Sequence, residues 1–248
     1  MKTNFGLIAV TITLLSASLA GCMGDEDSSG EYSGPIDLIV YYDSTSGMIE
    51  TSENNGQTGP TTGVELSFDF ADTTSDDGSI TKIMIEPDDG SSPVEGDPAD
   101  NAVISYTWMT HGVFTVTLTA EDSDGNSHSI MVKVKIDMHI VWSDTNTATA
   151  SMTFDATPDC EDGDPLPDRI TISSTVENPG QLFGGNSDVA WSLNNPSEEE
   201  IASNSGTLGN GAAETWDYTS RDIVEGFWSL DVEVTNGDNV NVNNDVTI

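Results

Sequence analysis

Positive charge is what this chain has least of. Six Lys and Arg stand against 43 Asp and Glu, a formal net charge of −37 over 248 residues. A surface of that sign repels nucleic acid and anionic lipid headgroups, so neither is an expected charge-driven partner. Cysteine is nearly absent: Cys22 and Cys160 are the only two, which implies no disulfide framework. Acids flank Cys160, and flanking acids raise a thiol's pKa, so a free, unreactive thiol is expected there. The three histidines, His111, His128 and His139, form no His-Glu-x-x-His pattern. Turn and surface roles are expected for them. There is no Gly-x-Ser-x-Gly elbow and no glycine-rich phosphate loop, and carboxylate pairs are too abundant to single one out. No catalytic activity is expected. Nothing beyond the amino terminus is apolar enough to span a bilayer. The one Asn-x-Ser candidate, Asn195-Pro196-Ser197, is blocked by its proline.

The acids have two readings. They form a solvating surface suited to high or marine salt, or some of them are divalent-cation ligands. Their spread along the whole chain favours the first, and predicts that stability rises with salt.

At the amino terminus Lys2 precedes an apolar stretch, Phe5 to Leu15, too short for a membrane span. Leu19-Ala20-Gly21-Cys22 follows. That run resembles the lipobox of prokaryotic lipoproteins. The resemblance implies cleavage of residues 1–21 as a signal peptide, diacylglyceryl transfer to Cys22, and an extracytoplasmic chain held to the cell membrane by lipid. Two acyl chains anchor stably where one does not. Residues 22–34 are acidic and nearly free of apolar side chains, and read as a disordered linker.

One phrase then occurs twice, as Leu66–Ile85 and Met152–Ile172. Each copy is an alternating strand ending in Phe-Asp, an acidic turn closed by Asp-Gly, and a second strand opening at Ile80 or Ile170. A repeated unit of this kind predicts two related β modules, 35–137 and 138–248, with the phrase at a corner of each. In the first, Val64, Leu66, Phe68 and Phe70 share one face. So do Phe114, Val116, Leu118 and Ala120, and Ile130, Val132, Val134 and Ile136. In the second, the inward rows are Ile170, Ile172 and Ser174, and Trp228, Leu230, Val232 and Val234. Asp43 to Gly63 reads as a long mobile loop, and Ser197 to Ala202 as at most a short helical turn. The expected fold is all-β: two tandem Ig-like antiparallel β-sandwiches.

Several pieces of the first module resemble the polycystic-kidney-disease (PKD) domain. They are Phe68-Asp69, Asp76-Asp77-Gly78-Ser79-Ile80, Asp89-Gly90, Gly112 to Leu118 and Asp122-Ser123-Asp124-Gly125. Of the family's Trp-Asp-Phe-Gly-Asp-Gly hallmark only the last two residues survive, in Ile85 to Gly90. The resemblance implies an Ig-like sandwich without catalytic residues. The second module opens in the same way. From Ile170 it instead resembles CARDB-type Ig-like domains, on Asn178-Pro179-Gly180, Gly226-Phe227-Trp228 and Asn241 to Asn244. It is PKD-like or CARDB-like.

The acidic turns are the candidate metal sites. Asp69, Asp76 and Asp77 serve in the first copy. Asp155, Asp159, Asp162 and Asp164 are denser, and Asp159, Asp162 and Asp164 are the candidate Ca²⁺ ligands. In a chain this acidic, clustered Asp is better read as turn-forming, and no cofactor is expected. Tyr41 and Tyr42 must point to opposite faces of a strand. Trp142, Trp191 and Trp216 are either a carbohydrate-binding platform or sandwich core. The expected role is non-catalytic adhesion or binding of extracellular protein or polysaccharide, with an accessory subunit of an envelope complex as the alternative. The sequence assigns no oligomeric state.

Overall fold

The computed structural model describes residues 32–158 and 166–248. Along the chain the strands are β1 Ile36–Asp37, β2 Ser46–Asn54, β3 Gln57–Thr58, β4 Val64–Asp69, β5 Thr74–Ser75 and β6 Ile80–Glu86. Then come β7 Val94–Gly96, β8 Val103–Trp108, β9 Gly112–Asp122, β10 Ser127–Thr147, β11 Thr149–Asp155 and β12 Ile170–Glu177. The chain continues with β13 Ser187–Asn194, β14 Glu200–Leu208, β15 Ala213–Ser220, β16 Phe227–Asn236 and β17 Val240–Thr247. Among the described residues there is no helix, and Ser197 to Ala202 runs into β14. The fold is all-β, with two Ig-like sandwiches in tandem.

Period-two alternation builds both cores. On β9, Phe114, Val116, Leu118 and Ala120 are fully buried, and in register Phe114 faces Val134 and Val116 faces Val132 on β10. Across the sandwich β4 and β8 form the opposing pair, supplying Phe68 and Trp108. The Trp108 indole N–H donates to the Pro87 carbonyl at 3.3 Å, so its one polar group is satisfied inside. In the second module β11, β16, β13 and β14 form one sheet and β15, β12 and β17 lie opposite. A polar thread crosses this core. Trp191 Nε1 donates to Ser174 Oγ at 2.9 Å, and Ser174 Oγ donates to Asn244 Oδ1 at 2.6 Å.

The repeated phrase has the same role in both modules. Phe68 and Phe154 are buried. Asp69 Oδ1 accepts from the Ala71 N–H and Asp155 Oδ1 from the Thr157 N–H, each at 2.9 Å, which turns the chain at the strand end. The flanking strands are not paired with each other. β4 and β6 lie in opposite sheets, as do β11 and β12, so each corner carries the chain across its sandwich.

Two expectations fail. The stretch read as a loop from Asp43 to Gly63 contains β2, which pairs with β10 from Ser46↔Lys135 to Asn54↔Ser143. That pairing is parallel, inside a fold expected to be antiparallel throughout. β2 offers the core only Ile49, so its sequence carries no inward row, and backbone pairing supplies the order. The second failure is His111, which is buried, not a surface group.

β10 belongs to both modules. Residues 127–136 pair with β9 and residues 139–147 with β17. Lys135 and Ile136 pair with β2 as well as β9, and His139 to Ser143 with β2 as well as β17. β9 and β17 therefore follow one another along one edge of β10 while β2 runs along the other. Ile248 closes the junction by two backbone bonds to Met138, at 2.9 and 3.1 Å.

Candidate binding site at the far end of the second module

The loop between β12 and β13 is built from its base upward. Asn178 is fully buried. Its Nδ2 donates to the Gly185 carbonyl at 3.0 Å and the Leu208 carbonyl at 3.1 Å, tying this loop to the end of β14. Gln181 N donates to Asn210 Oδ1 at 2.8 Å, and Asn210 Nδ2 returns a bond to the Gln181 carbonyl at 2.7 Å. Gly185 N donates to Asp238 Oδ2 at 2.8 Å, joining the β16–β17 turn. Two glycines make this possible. A Cβ on Gly184 would lie 2.6 Å from Asn210 Oδ1. Gly237 has φ +109°, and a Cβ there would lie 2.2 Å from the Asn186 carbonyl.

At the top, Gly184 N donates to the Gln181 carbonyl at 3.3 Å, closing a turn whose central residues are Leu182 and Phe183. They are 91% and 95% exposed. Turn centres are normally Gly, Asn, Asp, Pro or Ser, so a Leu-Phe pair held out by a bonded base stands apart. Sequence reasoning missed it. The available signal was two large apolar residues bracketed by Gly180 and Gly184-Gly185.

This tip lies at the carboxyl end of β10, where Asn239 Nδ2 donates to the Asn146 carbonyl at 2.9 Å. The other end of β10 meets the incoming chain: His128 Nδ1 is 3.1 Å from the Ile36 carbonyl. At ~3.3 Å per strand residue, the eighteen steps between His128 and Asn146 span about 60 Å. None of the chain's Lys or Arg is in the tip loops. Lys82, Lys133 and Lys135 are on β6 and β10, Arg169 precedes β12, and Arg221 follows β15.

The residues singled out from sequence fare as follows. Cys22, Asp159, Cys160, Asp162 and Asp164 lie outside the described residues. Asp76 and Asp77 are exposed, and Asp69 and Asp155 cap their turns. Among the described residues no three His, Cys, Asp or Glu are grouped to hold a metal ion. Asp122 binds its own hairpin instead. It accepts from Asn126 Nδ2 and N at 2.9 Å each, Asp124 N at 3.0 Å and Ser75 Oγ at 2.7 Å. The Asn126 amide is the largest cause holding its carboxyl down at about 2. Burial opposes it, and the Ser75 hydroxyl and backbone N–H groups add to it. Asp89, from the surviving hallmark pair, accepts from the Tyr106 hydroxyl. Burial first, then that carboxylate, push the Tyr106 hydroxyl up.

Trp191 is core, and Trp142 and Trp216 are half-buried against it, so the three tryptophans make no exposed platform. Tyr41 and Tyr42 are both exposed. A junction cavity of about 210 Å³ is lined by His111, Val113, Ile136, Leu166, Pro167 and Ile248, among others. Tyr41, Lys82, Tyr106, Asp122 and Asp188, whose titration is shifted, do not border it. No described helix is long and apolar enough to cross a membrane.

No curated protein matches this chain in sequence. Among solved structures it is similar to a carbohydrate-binding module of the β-sandwich superfamily, at 13% identity and TM-score 0.32, covering 86% of this chain and 96% of that one. Fibronectin(III)-like modules of Clostridium thermocellum CbhA match at 14% identity and TM-score 0.27, over 79% and 94%. The PKD1 domain of Vibrio anguillarum Epp matches at 17% identity and TM-score 0.24, over 39% and 94%. The CARDB-type resemblance of the second module is not confirmed by these matches. Residues 51–136, most of the first module, match the family model of the PKD domain.

Proposed function

We propose that this chain is a non-catalytic binding protein of a prokaryotic cell surface, tethered by lipid at Cys22. Two sandwich modules, 35–137 and 138–248, display its far end to a protein partner. One observation carries the reading. The chain comes in at one end of β10, and the bonded, exposed Leu182–Phe183 turn stands at the other. A tether at one end and an apolar contact at the opposite end are what a displayed adhesion module needs. The PKD match over residues 51–136 supports a non-catalytic role for the first module. Protein is favoured over polysaccharide because the tryptophans do not form an exposed row of coplanar rings. Fractionation of cells making the full chain tests the tether. Wild type is expected with the membranes and Cys22→Ala in the soluble fraction. Cys22→Ala retained in the membranes contradicts the lipid anchor.

A further inference from the structure

From the charge around the tip we infer its partner's chemistry: a protein with an apolar socket for Leu182 and Phe183, rimmed by Lys or Arg. This rests on the reading of the tip as the binding end. The two side chains are almost wholly exposed on a base fixed by Asn178, Asn210 and Asp238. A preorganised apolar anchor loses little conformational freedom on docking, and such residues centre protein interfaces. The loops around them hold Asp238 and end near Glu177, and contain no Lys or Arg. Interfacial amphipathic segments hold to membranes by buried apolar area together with basic residues that meet anionic headgroups. This tip has the apolar half alone, on a chain of net charge −37. A lipid surface therefore lacks the complementary charge, whereas a cationic protein rim gains steering and register from it.

The test uses full-length chain in detergent, wild type and Leu182→Ser/Phe183→Ser. Both substitutions are at exposed positions, and a matching melting curve establishes that the variant is folded. Native envelope from the source cells is the first probe, intact or trypsin-treated. Vesicles of phosphatidylcholine, alone or with phosphatidylglycerol, are the second. The inference expects envelope binding that depends on the tip, is lost after trypsin, and associates about tenfold more slowly at 0.5 M than at 50 mM NaCl. Equal binding by the variant overturns the tip as binding end. Tip-dependent binding that survives trypsin, or that vesicles reproduce, keeps the tip and overturns the protein partner. Tip-dependent, trypsin-sensitive binding with salt-independent association overturns the cationic rim.

Discussion

At position 178 one buried amide donates to the Gly185 carbonyl of its own loop and the Leu208 carbonyl at the end of β14. Truncation leaves the buried Leu208 carbonyl without that donor, a loss of about 1–3 kcal/mol. Asn178→Ala is expected to lower the melting temperature and to raise amide exchange at 181–185 above that of the β12 core. Unchanged exchange there contradicts its role under the tip. Asp122 sets a pH dependence. Its folded pKa of about 2 lies below the usual carboxylate value. Its stabilisation is therefore complete above that usual value and disappears as pH falls through about 2. Asp122→Asn should flatten the stability-against-pH curve between about pH 4 and pH 2. An unaltered slope there contradicts the assignment. Phe68 and Phe154 were readable from sequence because each ends an alternating strand at a Phe-Asp step. The Asn178 amide was not, because its partners lie 7 and 30 residues away in sequence.

Elements with an inward row of large side chains were legible, since period two alone puts them on one face: β6, β9, the first half of β10, β12 and β16. Of the strands that were missed, β2 and β14 each bury a single residue, Ile49 and Leu208. Backbone pairing makes such polar edge strands, and hydropathy does not register it. One signal was present for β2. Asn55 and Gly56 have φ of 47° and 71°, the two left-handed residues of a tight hairpin into β3. β2 crosses the module junction, with Ile49 opposite Met138. Ile49→Ala should cost about 2–5 kcal/mol, and hydrogen exchange should localise the loosening to residues 138–143. Exchange that rises only inside β2 would mean that this strand does not brace the junction.

For the whole molecule, charge and continuity decide behaviour. Self-repulsion at −37 is screened by salt. Calorimetry from 0.05 to 2 M NaCl should show a rising melting temperature. A flat one contradicts the view of the acids as a solvating surface. Through β10 the two cores share a strand, and β2 and Ile248 lie beside it. The tip is thereby held about 60 Å of strand away from the incoming chain. Sequence periodicity supplied the two sandwiches. It could not supply this arrangement, because nothing in the local pattern of residues 127–147 marks a change of partner from β9 to β17. The central claim is that Leu182 and Phe183 are where the chain binds. Interferometry of full-length protein against native envelope tests it most directly, comparing wild type, Leu182→Ser/Phe183→Ser and a control, Met131→Ser, which alters a side chain 75% exposed on the first module. Burying a Leu and a Phe is worth about 1.5–3 kcal/mol each, so the account predicts at least a tenfold loss of affinity in the tip variant and none in the control. Equal affinity in all three would contradict it.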